Sequence, residues 1–132
     1  MTRFMLDTNM VSHLLRAHAN VTMRLINVSI SSCCISSITE GELHFGLALR
    51  PSATNLRRGI EELLLRLDIL PWSSDTAKHY GSLRAKQERL GKPLAPVDTL
   101  IAAHALEADT VLVTSDQAFG RVAGLRVEDW TR

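Results

Sequence analysis

The sequence has no long apolar run, because its longest uninterrupted hydrophobic stretch, residues 100–103, is only four residues long. A membrane-spanning helix needs roughly 18 or more such residues, so none is predicted. The first residues also lack the apolar segment of a secretory signal peptide. We therefore expect a cytoplasmic protein with no part in a membrane.

Cysteine is almost absent, with only the two neighbouring residues Cys33 and Cys34. Neighbouring residues of a strand point to opposite faces, so a disulfide between these two is geometrically poor. We expect buried free thiols, as in a reducing compartment. The sequence also has no Cys-x-x-Cys motif and no pair of histidines at metal-binding spacing. A structural zinc site therefore has no ligand set.

An excess of charge of one sign is absent too, since 15 Lys and Arg residues face 14 Asp and Glu residues, for a net charge of +1. A near-neutral total neither requires nor excludes a nucleic-acid partner. Seven glycines and four prolines in 132 residues are too few for a collagen-like or low-complexity chain. The length suits one domain, which we expect to span residues 1–132.

What the sequence does contain is an alternation of short apolar runs and stretches with helical spacing. Strands are predicted at residues 4–6, 33–35, 68–70 and 111–113, with a weaker one at 125–127. Helices are predicted from a cap at Asn9 to residue 15, at 21–28, at 36–49, from Ser52 to 67, at 73–90 before Gly91, and at 97–108. Continuous apolar strands that alternate with helices indicate a three-layer α/β/α domain with a mostly parallel central sheet.

Two acidic residues directly follow predicted strands. Asp7 comes after the first strand, and Asp116 lies three residues beyond the strand at 111–113. Ligands of open α/β sheets bind outside the carboxyl ends of the strands, so we expect both carboxylates at the same edge.

Two further acids, Asp98 and Glu42, are predicted on apolar helix faces. Asp98 shares its face with the apolar residues three, four and seven positions later, which directs it inward. Local sequence by itself favours the alternative, an acid placed at the start of a helix because the helix dipole stabilises it. Glu42 shares a predicted stripe with Ile38, Phe45 and Leu49, and could be a half-buried acid paired with an arginine.

Four carboxylates near one edge repel each other and are costly to leave unpaired. Hard divalent cations with oxygen ligands are the usual compensation, and neutral oxygens of Thr8, Asn9, Thr114 and Ser115 are predicted nearby. The sequence therefore predicts a Mg²⁺ pocket, which could also take Mn²⁺, suited to the chemistry of phosphate esters.

Four segments carry a resemblance to a known family: Phe-Met-Leu-Asp-Thr-Asn at 4–9, Ile-Ser-Ser-Ile-Thr-Glu-Gly-Glu-Leu at 35–43, Pro-Val-Asp-Thr-Leu-Ile-Ala-Ala-His-Ala at 96–105 and Val-Thr-Ser-Asp-Gln-Ala-Phe at 113–119. In this order and spacing, over essentially the full length, they resemble the PIN-domain ribonucleases. Within these, the chain is most similar to the VapC toxins of bacterial type II toxin–antitoxin pairs.

The resemblance implies a PIN-like fold and a Mg²⁺-dependent endoribonuclease. Such toxins inhibit translation by cutting structured RNA, in tRNA or rRNA loops, and a VapB antitoxin neutralises them. It also implies a homodimer, formed through the helices of the N-terminal half. A larger assembly with the antitoxin, and through it with operator DNA, is implied as well.

The resemblance also assigns roles to residues. Asp7, Glu42, Asp98 and Asp116 match the catalytic positions. Among them Asp7 and Asp98 are implied as the principal metal ligands and Asp116 as a further one. The accessory polar positions of the family fall on Asn9 and Thr114.

A basic cluster precedes Asp98 in the sequence and is a candidate for binding RNA phosphates. It consists of Arg84, Lys86, Arg89 and Lys92. The alternative is a solvated helix face whose charges pair with Glu88. The five histidines form no obvious constellation and are assigned to packing or to the surface.

Other classes of α/β protein also bind metal ions at acidic sites, and each has its own sequence requirement. A response-regulator receiver needs an aspartate at the end of its middle strand, where this chain has Leu70-Pro71-Trp72. A haloacid-dehalogenase-type phosphatase needs Asp-x-Asp, where this chain has Asp7-Thr8-Asn9. A P-loop is absent. A non-enzymatic interaction module remains an alternative, and it would bind no Mg²⁺ at the acidic pocket.

Overall fold

The central sheet contains five strands. The computed structural model describes all residues, 1–132. The strands are β1 (Phe4–Leu6), β2 (Cys33–Ser36), β3 (Asp68–Leu70), β4 (Val111–Val113) and β5 (Val127–Glu128), in the spatial order β3-β2-β1-β4-β5. Each neighbouring pair is parallel, which confirms the predicted sheet and makes it parallel throughout. The last strand lies slightly later than predicted.

Six α-helices connect and cover these strands. They are α1 (Thr8–Leu15), α2 (Ala19–Val28), α3 (Ser37–Leu49), α4 (Thr54–Arg66), α5 (Ser74–Arg89) and α6 (Pro96–Glu107). A short 3₁₀ segment, Gln117–Arg121, follows β4. None of the six helices combines the length and the apolar character needed to span a membrane.

Two apolar clusters, one on each face of the sheet, form the core. Leu6 and Val113 belong to the cluster that packs against α1–α4, while Met5 and Leu112 belong to the one under α5 and α6. Neighbouring strand residues therefore serve opposite faces, as the pleat requires. This arrangement confirms the three layers. It also places Cys33 and Cys34 in different clusters as free, buried thiols, as predicted.

Three predicted helix starts are wrong. Helix α2 begins at Ala19, two residues before its predicted start. Helix α1 is capped by Asp7, whose carboxylate accepts a hydrogen bond from Met10, whereas Asn9 lies inside the helix. Helix α4 begins at Thr54, two residues after the predicted start at Ser52, with Ala53 at the cap position and no side-chain capping bond. Leu67, predicted inside this helix, follows its end.

Candidate active site

A pocket of about 160 Å³ opens where β1 and β4 end. It is lined by Asp7, Thr8, Asn9, Glu42, Val97, Asp98, Ile101, Asp116 and Phe119. All four predicted acids therefore meet in one place, although they come from four separate segments of the chain. No lysine or arginine lines this acidic pocket, so the negative charges have no cationic neighbour among its walls.

Asp7 is the most buried of the four acids, with only 7% of its surface exposed. Its backbone N–H donates to the carbonyl of Val113, which ties the end of β1 to the end of β4. Burial raises the pKa of the Asp7 carboxyl, and the charges of Asp98 and Asp116 add to this effect. Hydrogen bonds from the side chain of Thr114 and the N–H of Met10 oppose it by stabilising the carboxylate.

Asp98 lies in the first turn of α6 and is half-buried. The apolar residues on its face, Ile101, Ala102 and Ala105, are buried, which confirms that this face turns inward. Burial is the main cause that raises the pKa of Asp98, and the negative charges of Asp116 and Glu42 raise it further. The carboxylates of the pocket are thus close enough to repel each other.

Glu42 is held in place from a neighbouring helix. The hydroxyl of Thr8 on α1 donates to Glu42 Oε1 on α3, and Thr8 Oγ1 lies 3.5 Å from Thr39 Oγ1. Sequence reasoning missed Thr39, which is fully buried. The spacing could have indicated it, because Thr39 lies four positions before the apolar Leu43 and therefore on the same helix face.

The predicted stripe for Glu42 is wrong. Phe45 and Leu49 are 65% and 66% exposed, whereas Thr39, Leu43 and Leu47 form the buried face of α3. Apolar residues occur on more than one face of this helix, so spacing alone selects the wrong one.

Asp116 is exposed and lies on the loop after β4 rather than on a strand. Its N–H donates to Thr114 Oγ1 at 3.0 Å, and its carboxylate accepts from Ala118 at 2.9 Å. The Thr114 N–H donates to the carbonyl of Glu128, so β5 anchors the start of this loop. Thr114 itself is buried, while Asn9 is exposed at the pocket wall.

The donor set of the pocket is made of oxygen atoms alone, which suits a hard divalent cation. The uncompensated acids and the raised pKa values of Asp7 and Asp98 fit a bound cation as well. No three His, Cys, Asp or Glu side chains, however, lie close enough together to hold a metal ion directly. The geometry therefore fits Mg²⁺, which keeps several waters and takes only one or two carboxylates.

The predicted basic cluster does not line the acidic pocket. Arg84 donates to Glu88 at 3.2 Å and to the hydroxyl of Tyr80 at 3.0 Å. Lys86, Arg89 and Lys92 are exposed and make no ion pair within the chain. The pairing with Glu88 thus holds for Arg84 alone, and three cations stay free.

The fold and this acidic pocket define the class of protein. Residues 4–125 match the model of the PIN domain family. Among curated proteins, the tRNA(fMet)-specific endonuclease VapC of Shigella flexneri is 35% identical over 99% of this chain and 100% of its own length. Ribonuclease VapC2 of Haemophilus influenzae is 34% identical over 98% of this chain and 99% of its own.

The similar solved structures come from the same family as these relatives. In a DNA-bound VapBC from Salmonella typhimurium, a chain superimposes with a TM-score of 0.90 and 36% identity, covering 98% of this chain and 99% of that one. A chain of VapBC2 from Rickettsia felis, bound to a fragment of its promoter, gives 0.88 and 28% over the same shares. This chain belongs to the VapC ribonucleases of the PIN-domain family. A receiver domain and a dehalogenase-type phosphatase are therefore no longer alternatives.

Proposed function

We propose that this chain is a Mg²⁺-dependent endoribonuclease toxin that hydrolyses a phosphodiester bond in tRNA and so inhibits translation. The observation that carries the proposal is the acidic pocket, where Asp7, Glu42, Asp98 and Asp116 meet without any basic side chain. Such a pocket suits a cation and, through the cation, a phosphate.

Asp7 and Asp98 are the residues that would hold the metal directly, Asp116 would reach it through one of its waters, and Mn²⁺ is expected to substitute for Mg²⁺. When bound, the cation supplies a water of lowered pKa and neutralises charge that develops on the phosphate. The chain itself holds the acidic side chains in position. Asp7 is fixed by its bond from Met10, Glu42 is held by Thr8, and the bond to Thr114 fixes the loop of Asp116.

The substrate is inferred from the relatives and from charge. The VapC proteins of Shigella flexneri and Salmonella typhimurium that are 35% identical to this chain are named tRNA(fMet)-specific. We therefore propose tRNA, rather than rRNA, as the substrate of this chain. The free cations Lys86, Arg89 and Lys92 lie at or just after the end of the helix that precedes the Asp98 helix, where phosphates flanking the scissile bond could reach them.

The partner is proposed to be a VapB-type antitoxin, because the similar solved structures are VapBC complexes, two of them bound to DNA. A basic antitoxin side chain at the acidic pocket would relieve the repulsion among its carboxylates and form charge-assisted hydrogen bonds. It would displace the cation and block the path of the RNA. A homodimer that binds operator DNA through its antitoxin completes the proposal.

The test is cleavage of a purified tRNA pool by the wild-type chain, with Mg²⁺ or with EDTA, followed by mapping of the new ends. We expect cuts at a defined tRNA position with Mg²⁺ only, none with the D98N variant, and none once the cognate antitoxin is added. The matched control, Asp75→Asn, removes an equal charge from an exposed site on α5 and should cut like the wild type. Cleavage that persists in EDTA, or in D98N, would exclude the proposal.

A further inference from the structure

A second, smaller cavity of about 110 Å³ lies between α5 and α6. Its walls include Tyr80, Arg84, Gln87 and Glu88 from α5, and Thr99 from α6. Pro96 and Thr99 line this cavity, whereas Val97 and Asp98, between them in sequence, line the acidic pocket. The two cavities therefore share the first turn of α6, on different sides of it.

One residue that lines the smaller cavity, Gln87, has an unsatisfied acceptor. Gln87 is only 1% exposed, and its amide nitrogen donates to the carbonyls of Lys92 and Arg121, at 3.0 and 3.1 Å. Because carbonyls only accept, these two bonds fix the orientation of the amide. Gln87 Oε1 then remains as the only buried side-chain nitrogen or oxygen of the chain without a hydrogen-bond partner. A buried acceptor of this kind is costly unless a donor reaches it.

A planar cation stands at the same cavity. Arg84 lies one helical turn from both Tyr80 and Glu88, and it donates to the tyrosine hydroxyl and to the carboxylate. These two bonds hold the guanidinium between neighbours of its own helix. A guanidinium plane is a surface on which an unstacked RNA base can stack.

We propose that this cavity is a nucleobase subsite that takes a base with an exocyclic amino group, next to the scissile phosphate. Arg84 stacks on the base, and the Glu88 carboxylate accepts from its amino group. Gln87 Oε1, which solvent does not reach in the free chain, accepts from the same group once the cavity opens around the base. Adenine, cytosine and guanine carry that group, and uracil does not. The proposal rests on the ribonuclease function proposed above, and it adds a selection of sequence that the acidic pocket lacks.

The first experiment measures binding without catalysis, by ¹⁵N–¹H NMR of the wild-type chain in EDTA. The probes are the four nucleoside 5′-monophosphates. The chain has only two glutamines, so Gln117, which is exposed, serves as an internal reference for the side-chain signals. We expect the Gln87 amide signals to shift with the adenine, cytosine and guanine nucleotides and least with uridine monophosphate. Gln87 signals that respond to none of the four, as for a cavity that holds only water, would overturn the subsite.

One arginine variant and one lysine variant of the same helix test the stacking role separately. R84A should weaken binding of the amino-bearing nucleotides about tenfold, as removal of one stacking partner of the base predicts. Lys78→Ala, an exposed cation of α5 outside the cavity, should bind them like the wild type. Equal affinities of R84A and the wild type would refute the stacking role.

The second experiment maps cleavage in an RNA pool of randomised sequence. The wild type and K78A should prefer A, C or G over U at one position flanking the cut, and R84A should lose this preference. A wild type that cuts without that preference, or an R84A variant that keeps it, would overturn the subsite. A wild type that cuts no RNA at all would instead refute the proposed function, while the nucleotide titration would still decide whether the cavity binds bases.

Discussion

The carboxylate of Asp7 accepts a hydrogen bond of 2.8 Å from the backbone N–H of Met10, so one side chain both caps α1 and lines the acidic pocket. The cap fixes the direction of the carboxylate without any help from a bound ion. It also separates the two roles of Asp7 experimentally, because asparagine can cap a helix and alanine cannot.

The first prediction uses this separation. Asp7→Asn and Asp7→Ala should both abolish RNA cleavage, since each removes the charge proposed to hold the metal. D7A should also be less stable than D7N by about 1 kcal/mol, the usual value of an N-cap. Urea denaturation of the two variants checks the difference. Equal stability of the pair would contradict the capping role, and wild-type cleavage by either would contradict the metal role.

The second prediction concerns repulsion among the acids. Asp98→Asn should raise the melting temperature of the metal-free chain, because burial, and with it the charges of Asp116 and Glu42, raises the pKa of Asp98 and so disfavours its charged form at pH 7. Mg²⁺ should raise the melting temperature of the wild type but not that of D98N.

The control for this prediction is Asp75→Asn, on the exposed face of α5. Thermal unfolding with and without Mg²⁺ should give this variant the same response to the ion as the wild type. A D98N variant stabilised by Mg²⁺ as strongly as the wild type would remove Asp98 from the metal site.

The third prediction assigns Thr8 as a positioning residue for Glu42. Thr8→Val keeps the shape of the side chain but removes the hydroxyl that donates to Glu42. We expect kcat for RNA cleavage to fall about tenfold, in line with about 1.5 kcal/mol for a charge-assisted hydrogen bond, with KM little changed. Thr8→Ser retains the donor and should restore most of the rate. Equal rates of the valine and serine variants would show that the bond does not matter for catalysis.

The fourth prediction is a loss of stability in acid that depends on His104. This residue is 1% exposed, its Nδ1 lies 2.7 Å from Ser36 Oγ, and the ring of Trp72 packs edge-on against it. Burial lowers the pKa of His104 below 6.5, although the charge of Glu107 and a hydrogen bond with the backbone of Pro71 oppose the shift.

The sign follows from the direction of this shift. As the pH falls through 6.5, the unfolded chain takes up a proton on this histidine before the folded chain does, so folding stability decreases. Urea denaturation between pH 7.5 and about pH 5 should therefore show a shallower loss for His104→Gln than for the wild type. His44→Gln, at an exposed site on α3, should follow the wild type. A loss equally steep in H104Q would contradict the prediction.

The fifth prediction tests the free cations. Replacing Lys86, Arg89 and Lys92 together by alanine should weaken RNA binding and reduce the slope of log K against log salt by about 0.7 for each phosphate that the variant no longer neutralises. Filter binding at several salt concentrations, in EDTA, measures the slope. An unchanged slope would return these residues to an ordinary solvated helix face.

The local content of the sequence was enough to predict the sheet and the position of the acids. Continuous apolar runs at β1, β2 and β4 require burial on both faces, which a covered parallel sheet provides. Since parallel strands end at one edge, the positions of Asp7 and Asp116 after two of them already predicted the acidic pocket.

Helix starts and helix faces were decided by tertiary structure. Asp7 and Asn9 are both good caps by residue type, and the backbone conformation at the end of β1 selects Asp7. Apolar residues on α3 mark two faces, and packing against the sheet buries Leu43 and Leu47 while leaving Phe45 and Leu49 in solvent. Hydrophobicity is a property of the residue, whereas burial depends on what the rest of the chain places opposite it.

Contacts between distant segments could not be predicted from the sequence. The bond from Thr8 to Glu42 joins residues 34 positions apart, and the bond from Gln87 to the carbonyl of Arg121 joins residues separated by the same number. Nothing in the residues around Gln87 marks it as buried or its oxygen as unpartnered. The sequence by itself determined the layers and the acidic edge, because these follow from local hydrophobic pattern. Only the tertiary structure decided which polar groups meet, because a hydrogen bond requires two atoms to be within reach of each other in space.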